Sequence, residues 1–394
     1  MSALKANIKD IVIVGGGPVG LVLALALQQQ GIAATVLEAR ARGASHQDKR
    51  ALALSYGSRI ILEKLNVWGE VEVSATAINT IHISQRSGLG RTKLNAADHG
   101  QPALGYVVSY GALTKALDAA LKNTEVIYEA VASQVNLDMA CGQVVFKKNK
   151  QIEILSSLLL VVADGGNSLG DIAGIQREIK EYGHNALVSI VACELPHNNI
   201  AYERFTPQGP MALLPNGESD FSLVWTGEKE AVEALLALDE ATFLSQLHTA
   251  FGDRVGKFLN VEKRMSFPLR LSTLKPSAAV HLATLHLAII GNAAQTMHPV
   301  AGQGFNVGLR DAWALVELII NTPKEQLGSK NMLSAFSRLR QRDTRGGVLF
   351  TDFLVNTFSN DLLGVATLRG AGLGLLDILK PAKSFLVGKM SHGK

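Results

Sequence analysis

Cysteine is nearly absent: Cys141 and Cys193 are the two in 394 residues, far apart and outside any Cys-x-x-Cys or Cys/His spacing. That excludes a disulfide framework and a thiolate metal site, and it suits a reducing compartment. Clustered charge of one sign is also missing. The formal net charge of +4 is spread along the chain, so there is no basic stripe of the kind nucleic-acid binders use, and that class is set aside. No clean hydrophobic run reaches membrane-spanning length: the leucine-rich stretch from Leu155 stops at Asp164, and the C-terminal one is broken by Arg369 and Asp377. Fixed-period repeats and low-complexity linkers are absent too. At this length there is room for two or three domains, and they must interleave rather than follow one another as beads.

The N-terminal stretch Ile11 to Leu27 is uncharged and mostly apolar, as a secretion signal would be. It holds three consecutive glycines and a proline behind Lys9 and Asp10, which a phosphate-binding loop explains and a signal peptide does not. The reading is a cytosolic protein.

The segment "NIKDIVIVGGGPVGLVLALALQQQGIAATVLEAR" predicts strand, turn, helix, strand. Ile11 to Val14 is a short β-branched run fit for a buried parallel strand, Pro18 to Gln30 a helix, and Ala34 to Leu37 a second strand. Short alternating segments from Val126 to Val162 predict an antiparallel meander returning to the main sheet. A second β-rich block, Ala186 to Gly227, is the candidate substrate sheet. Helical periodicity follows over Glu228 to Phe251, a strand is expected near Met265, and the last sixty or so residues read as helices.

Three motifs carry chemistry. Gly15, Gly17 and Gly20 have the G-x-G-x-x-G spacing, and Glu38 closes the second strand. Such glycines allow a tight turn and close approach to a pyrophosphate, while the acid accepts hydrogen bonds from a ribose hydroxyl. Glu38 favours a 2′-hydroxyl, so the nucleotide is FAD or NAD rather than NADP. The second motif, "LLLVVADGGNSLG", runs a buried strand into Asp164-Gly165 with Ser168 three residues on; by itself it reads equally as an Asp-Gly turn. The third, "IIGNAAQTMHPVAGQGFNVGLRDAWALVELI", sets a strand, a His-Pro corner and a Gly-Gln-Gly turn ahead of a helix. A glycine turn feeding a helix can present unpaired amides to something electron-rich. By residue type alone His298 reads as a satisfied histidine at that corner.

In this order the motifs resemble the single-component FAD-dependent aromatic hydroxylases of the p-hydroxybenzoate hydroxylase fold, over nearly the whole chain. The stretches "GNAAQTMHPVAGQGFNVGLRD", "LGYVVSYGAL" and "AYERFTPQGPMALLP" are most similar to the ubiquinone-biosynthesis hydroxylases, the 2-octaprenyl-6-methoxyphenol hydroxylase branch in particular. The resemblance implies an α/β fold: a Rossmann-like FAD-binding domain interleaved with an antiparallel β-sheet substrate domain, and a helical C-terminus. FAD-binding parts are expected over 1–75, 106–180 and 273–325, substrate-domain parts over 76–105 and 181–272, and the helical segment over 326–394.

The resemblance also assigns roles. Gly15, Gly17, Gly20 and Glu38 would hold the ADP half of FAD, with Arg50 near the flavin and pyrophosphate and Asp164 serving FAD and the NAD(P)H encounter. Asn292, where most of the superfamily has Asp, would contact the ribityl chain; Pro299, Gly302, Gln303, Gly304 and Asn306 would line the isoalloxazine. His298 and Pro299, with Tyr202 and Arg204 on the substrate sheet beside Phe205, form the candidate catalytic set. One departure is that no Arg follows Ser168 until Arg177, where the superfamily places one three residues on.

The implied chemistry is monooxygenation: NAD(P)H reduces FAD, the reduced flavin captures O₂ as a C4a-hydroperoxide, and its distal oxygen passes to the ring of a polyprenylated phenol. An FAD-dependent reductase on the same fold and a non-catalytic FAD- or prenylphenol-binding scaffold are the other readings. A flavin halogenase is excluded because Trp68, Trp225 and Trp313 are isolated rather than in a Trp-x-Trp motif. The C-terminal "DLLGVATLRGAGLGLLDILKPAKSFLVGKM" is suited to a membrane surface, to a partner subunit, or to capping the core.

Overall fold

The computed structural model describes residues 8–86, 90–166, 175, 177–206, 208–274, 283–296, 303–341, 377 and 379–392. Strand β1 (Ile8–Val14) lies between β2 (Ala34–Leu37) and β11 (Gln151–Val162), parallel to both. Its residues Ile11, Val12 and Ile13 are fully buried, as expected of a strand covered on both faces. The sheet continues through β19 (Leu287–Ile289) and β18 (Ala283–Thr284) on one side and β8 (Glu125–Ile127) on the other. Helix α1 (Pro18–Gln29) is apolar almost all round, and Leu21 to Leu27 are buried. A helix of that composition needs neighbours on every side; the sheet, α4 (Tyr110–Ala120) and α7 (Gln303–Ile320) supply them.

The long strand β11 serves two partners. Gln151 to Ser157 pair antiparallel with β10 (Gly142–Lys148), itself paired with β9 (Val131–Leu137), while Ser156 to Val162 run parallel to β1. The expected meander therefore feeds directly into the nucleotide sheet.

The second large sheet has the order β20 (Gln295–Thr296), β17 (Met265–Leu274), β12 (Arg177–Cys193), β15 (Asp220–Glu228), β14 (Gly209–Asn216), β13 (Ile200–Thr206), β5 (Thr80–Gln85), β6 (Arg91–Asn95), with β16 (Phe258–Val261) on β12. Strands from three separated stretches of chain thus build one sheet. Helical periodicity over Glu228 to Phe251 resolves into two helices, α5 (Lys229–Ala237) and α6 (Glu240–Phe251). The break falls where Asp239 caps α6, its Oδ1 accepting the Thr242 amide at 3.0 Å. These helices cover one face of the sheet, burying Phe221, Trp225, Phe243, Leu247 and Phe251 together.

The opposite face meets a small sheet of β3 (Ala51–Ser55), β7 (Gly105–Ser109) and β4 (Thr76–Ile78), through contacts of Ala201 and Leu214 with Ile78, Val107 and Ala51. At its β5–β6 end the same face takes the last helix, α8 (Lys380–His392), whose Leu386, Val387 and Met390 pack on Ile81, Ile83, Leu94 and Leu104. Asp377 pins that end by accepting from Thr92 Oγ1 at 3.0 Å and Lys383 Nζ at 2.7 Å. This part of the C-terminal segment caps the core.

Candidate active site

The glycine turn after β1 is shaped by close approaches. Gly15 has φ +109°, and a Cβ there would stand 2.7 Å from the Asp164 backbone nitrogen and Cα. A Cβ at Gly20 would overlap the Gly15 carbonyl oxygen. Both positions therefore require glycine. Gly17 is the N-cap of α1 and Pro18 its first residue, with no side-chain cap. The first-turn amides of Val19 and Gly20 have no partner within the helix and are open to an anion.

Glu38, at the end of β2 and 8% exposed, faces this turn. Its Oε2 accepts the Gly16 amide at 2.8 Å, and its Oε1 accepts the Arg40 amide and Nε at 3.0 and 2.6 Å. The bond to Glu38 raises the Arg40 pKa further, so that guanidinium stays charged. Arg40 and Arg50 both lie over the Tyr110 ring, 5.9 and 5.0 Å from its centre, and the Tyr110 hydroxyl is 3.4 Å from where a Gly17 Cβ would stand. Arg50 is held in a fork by Asp48, with Nη2 to Oδ2 at 2.6 Å. Asp164 closes the adjoining turn, Oδ1 accepting the Gly166 amide at 2.8 Å. Gly16, Arg40 and Tyr110 were not singled out from sequence. The "SYGAL" stretch did carry Tyr110, and nothing local tied it to the glycine turn.

The second glycine-rich motif reaches the start of α1 through Gly291 and Gly308. A Cβ on Gly308 of α7 would lie 2.9 Å from Val19 Cγ2 and 3.0 Å from Gly291 Cα, so the second turn of α7 abuts the first turn of α1. Asn292 is exposed, with its Oδ1 3.8 Å from the site of a Gly304 Cβ. Asn306 is buried: Oδ1 accepts from the Ser55 amide at 2.8 Å and Ser58 Oγ at 2.7 Å, and Nδ2 donates to the Ala53 carbonyl at 2.9 Å. Its side chain thus ties α7 to β3 and α2 (Tyr56–Lys64). Buried Asp311 accepts the Gly291 amide at 3.1 Å and, across 29 residues of chain, Arg340 Nε at 2.6 Å. Gln303 opens α7. His298, Pro299, Gly302 and Ser168 lie outside the described residues.

The structure does not bring Tyr202 and Arg204 to this cluster. On β13 they point to the face covered by α6, and the other members of the expected catalytic set, His298 and Pro299, lie outside the described residues. The Tyr202 ring packs 5.7 Å from those of His82 and Phe251, and Arg204 Nε donates to the Ala250 carbonyl at 3.3 Å. Successive strand residues alternate faces, so Ala201, Glu203 and Phe205 take the side of β3 and β7.

The FAD binding domain family matches residues 9–345. Ubiquinone hydroxylase UbiL of Rhodospirillum rubrum is 32% identical, over 96% of this chain and 88% of that one. The chain belongs to the FAD-dependent hydroxylases of ubiquinone biosynthesis. The 3-demethoxyubiquinol 3-hydroxylase of Escherichia coli is 30% identical to this hydroxylase, over 92% of its chain and 93% of the relative's. In solved structures, p-nitrophenol 4-monooxygenase PnpA of Pseudomonas putida matches at TM-score 0.79 and 16% identity, over 98% of both chains, a likeness of fold.

This hydroxylase is an FAD-dependent monooxygenase, and its residues fit the cofactor. The cradle that a Cβ would fill at Gly15 and Gly20, and the uncapped α1 start, suit a pyrophosphate. Glu38 uses one donor at Oε2 and retains acceptor capacity for ribose hydroxyls. The N-terminal half of α7 lies against the start of α1, and the positive end of that helix would suit negative charge on a bound flavin.

Proposed function

We propose that this hydroxylase adds one oxygen atom from O₂ to the aromatic ring of a polyprenylated phenol on the way to ubiquinone, with NAD(P)H as reductant. FAD, when bound, supplies the electron transfer and oxygen activation. The observation that carries the reading is the contact of Val19, in the first turn of α1, with Gly291 and Gly308 of the second glycine-rich motif, in a chain with hydroxylase relatives along nearly its whole length.

The protein's own contributions follow from its geometry. The α1 turn and Glu38 hold the nucleotide end; the residues around Arg40, Arg50 and Tyr110 hold the region next to it; the α7 start favours the anionic flavin; and the face carrying Ala201, Glu203 and Phe205 receives the phenol. The Asp164 turn, hard against Gly15, serves the nucleotide side. Among the described residues no helix is long and apolar enough to cross a membrane. The prenyl tail of such a substrate belongs in a bilayer, which supports an enzyme that works from the cytoplasm at the inner-membrane surface or beside a partner that presents the ring.

The test is incubation of the FAD-loaded protein with a phenol bearing one dimethylallyl group, NAD(P)H and ¹⁸O₂. A product heavier by one labelled oxygen, its position read by NMR, is the expected result. Oxidation of NAD(P)H with the phenol returned unlabelled would overturn the reading.

A further inference from the structure

Glu203 is a carboxylic acid in an apolar row. Across the sheet its neighbours on the same face are Thr92, Ile83, Ala212, Val224, Val188 and Met265, none of them ionisable. Among the described residues no charged group acts on it, burial being the sole cause of its raised pKa, and the elements packed on this face present apolar side chains. From β3, β7 and β4 come Ala51, Val107 and Ile78, and from α8 come Leu386, Val387 and Met390. The charged groups at that end, Asp377 and Lys383, are paired with each other at 2.7 Å beside Thr92. Arg91, Lys93, Arg204 and Arg254 act on His82, across the sheet. Among the described residues the Glu203 carboxyl has neither a hydrogen bond nor an ion pair, yet part of its surface stays accessible.

Burying a carboxyl with no partner is unfavourable and gives the fold nothing in return. Perturbed, partnerless acids of this kind collect at functional sites. Resting on the function proposed above, we propose that Glu203 is the acid–base residue of the phenol site, accepting the proton of the ring hydroxyl. The phenol O–H bond breaks, an O–H bond forms on a Glu203 carboxylate oxygen, and the electron pair left on the phenol oxygen enriches the ring carbons ortho and para to it. Oxygen addition is followed by breakage of the C–H bond at the attacked carbon, whose proton leaves to solvent as the ring regains aromaticity, and the proton held by Glu203 returns to the phenol oxygen, so Glu203 ends as it began. Desolvation pushes the Glu203 carboxyl up to about 8, close to the working pH at which a general base is most effective.

The experiment compares wild type with Glu203→Gln and Glu203→Asp, each FAD-loaded at full length, using the dimethylallyl phenol. Wild-type turnover is expected to rise with pH along a limb centred near 8. Glu203→Gln should lose the limb and fall by about 10²- to 10⁴-fold, with flavin reduction by NAD(P)H retained; Glu203→Asp should keep a displaced limb. Infrared difference spectra on adding the phenol should show a protonated-carboxyl band in wild type that is missing in Glu203→Gln. Wild-type hydroxylation with an unchanged rate and pH profile in Glu203→Gln overturns this role and leaves the proposed function standing. No hydroxylation by wild type overturns that function, and a phenol-insensitive carboxyl band then removes the role of Glu203 as well.

Discussion

Gly20 stands so close to Gly15 that a single added methyl group would collide with the Gly15 carbonyl oxygen. The contact fixes the depth at which α1 sits on β1, and with it the amides that face the nucleotide. Gly20→Ala is expected to push the helix off the turn, at about 3 kcal/mol of stability and with loss of bound FAD. Flavin content after gel filtration, read by absorbance, checks it; a fully loaded Gly20→Ala protein would show the contact to be dispensable.

Glu38 joins the glycine turn to Arg40. Glu38→Ala leaves the Gly16 amide and the Arg40 guanidinium without this acceptor, a loss of about 1 to 3 kcal/mol, or roughly 5- to 150-fold in FAD affinity. Titration by flavin fluorescence quenching measures it. Affinity within a factor of two of wild type would contradict the assignment.

The buried pair Asp311–Arg340 sits at the middle of α7 and ties it to Gly291 through the Gly291 amide. Removing one partner leaves an uncompensated buried charge, so Arg340→Met should cost about 3 to 5 kcal/mol in urea unfolding. The double variant Asp311→Leu with Arg340→Met should recover part of that loss, because neither charge is then stranded.

Glu203 also makes stability depend on pH. Its folded-state carboxyl titrates at about 8, against an ordinary value of 4.5. Below 4.5 both folded and unfolded chains hold the proton and nothing is lost. Between 4.5 and 8 the unfolded chain releases it first, so this residue's contribution falls as pH rises and levels off above 8. Glu203→Gln should therefore be more stable than wild type by about 1 to 3 kcal/mol at pH 8 and equal to it near pH 4. Melting curves at the two pH values decide; a gap that does not widen with pH would sink the idea.

The βαβ unit was legible because everything that shapes it is local: a β-branched run, glycines where a Cβ cannot fit, and an acid at the end of the next strand. The family resemblance was legible for the same reason, since its motifs are short words in a set order. Alternation along "AYERF" was also visible, and it separates Tyr202 and Arg204 from Glu203 whatever the fold. Which of the two sets is turned toward β3 and β7 was not visible, because that depends on which side of the sheet α5 and α6 cover. Packing made the choice by burying Met211 and Leu213 of β14 and Phe221 and Trp225 of β15 under those helices. The remaining site residues were hidden by distance along the chain. Asn306 meets Ser55 across 251 residues and Asp311 meets Arg340 across 29. Local propensity carries no information about such pairs; they exist only once α7 has been laid against α1 and β3.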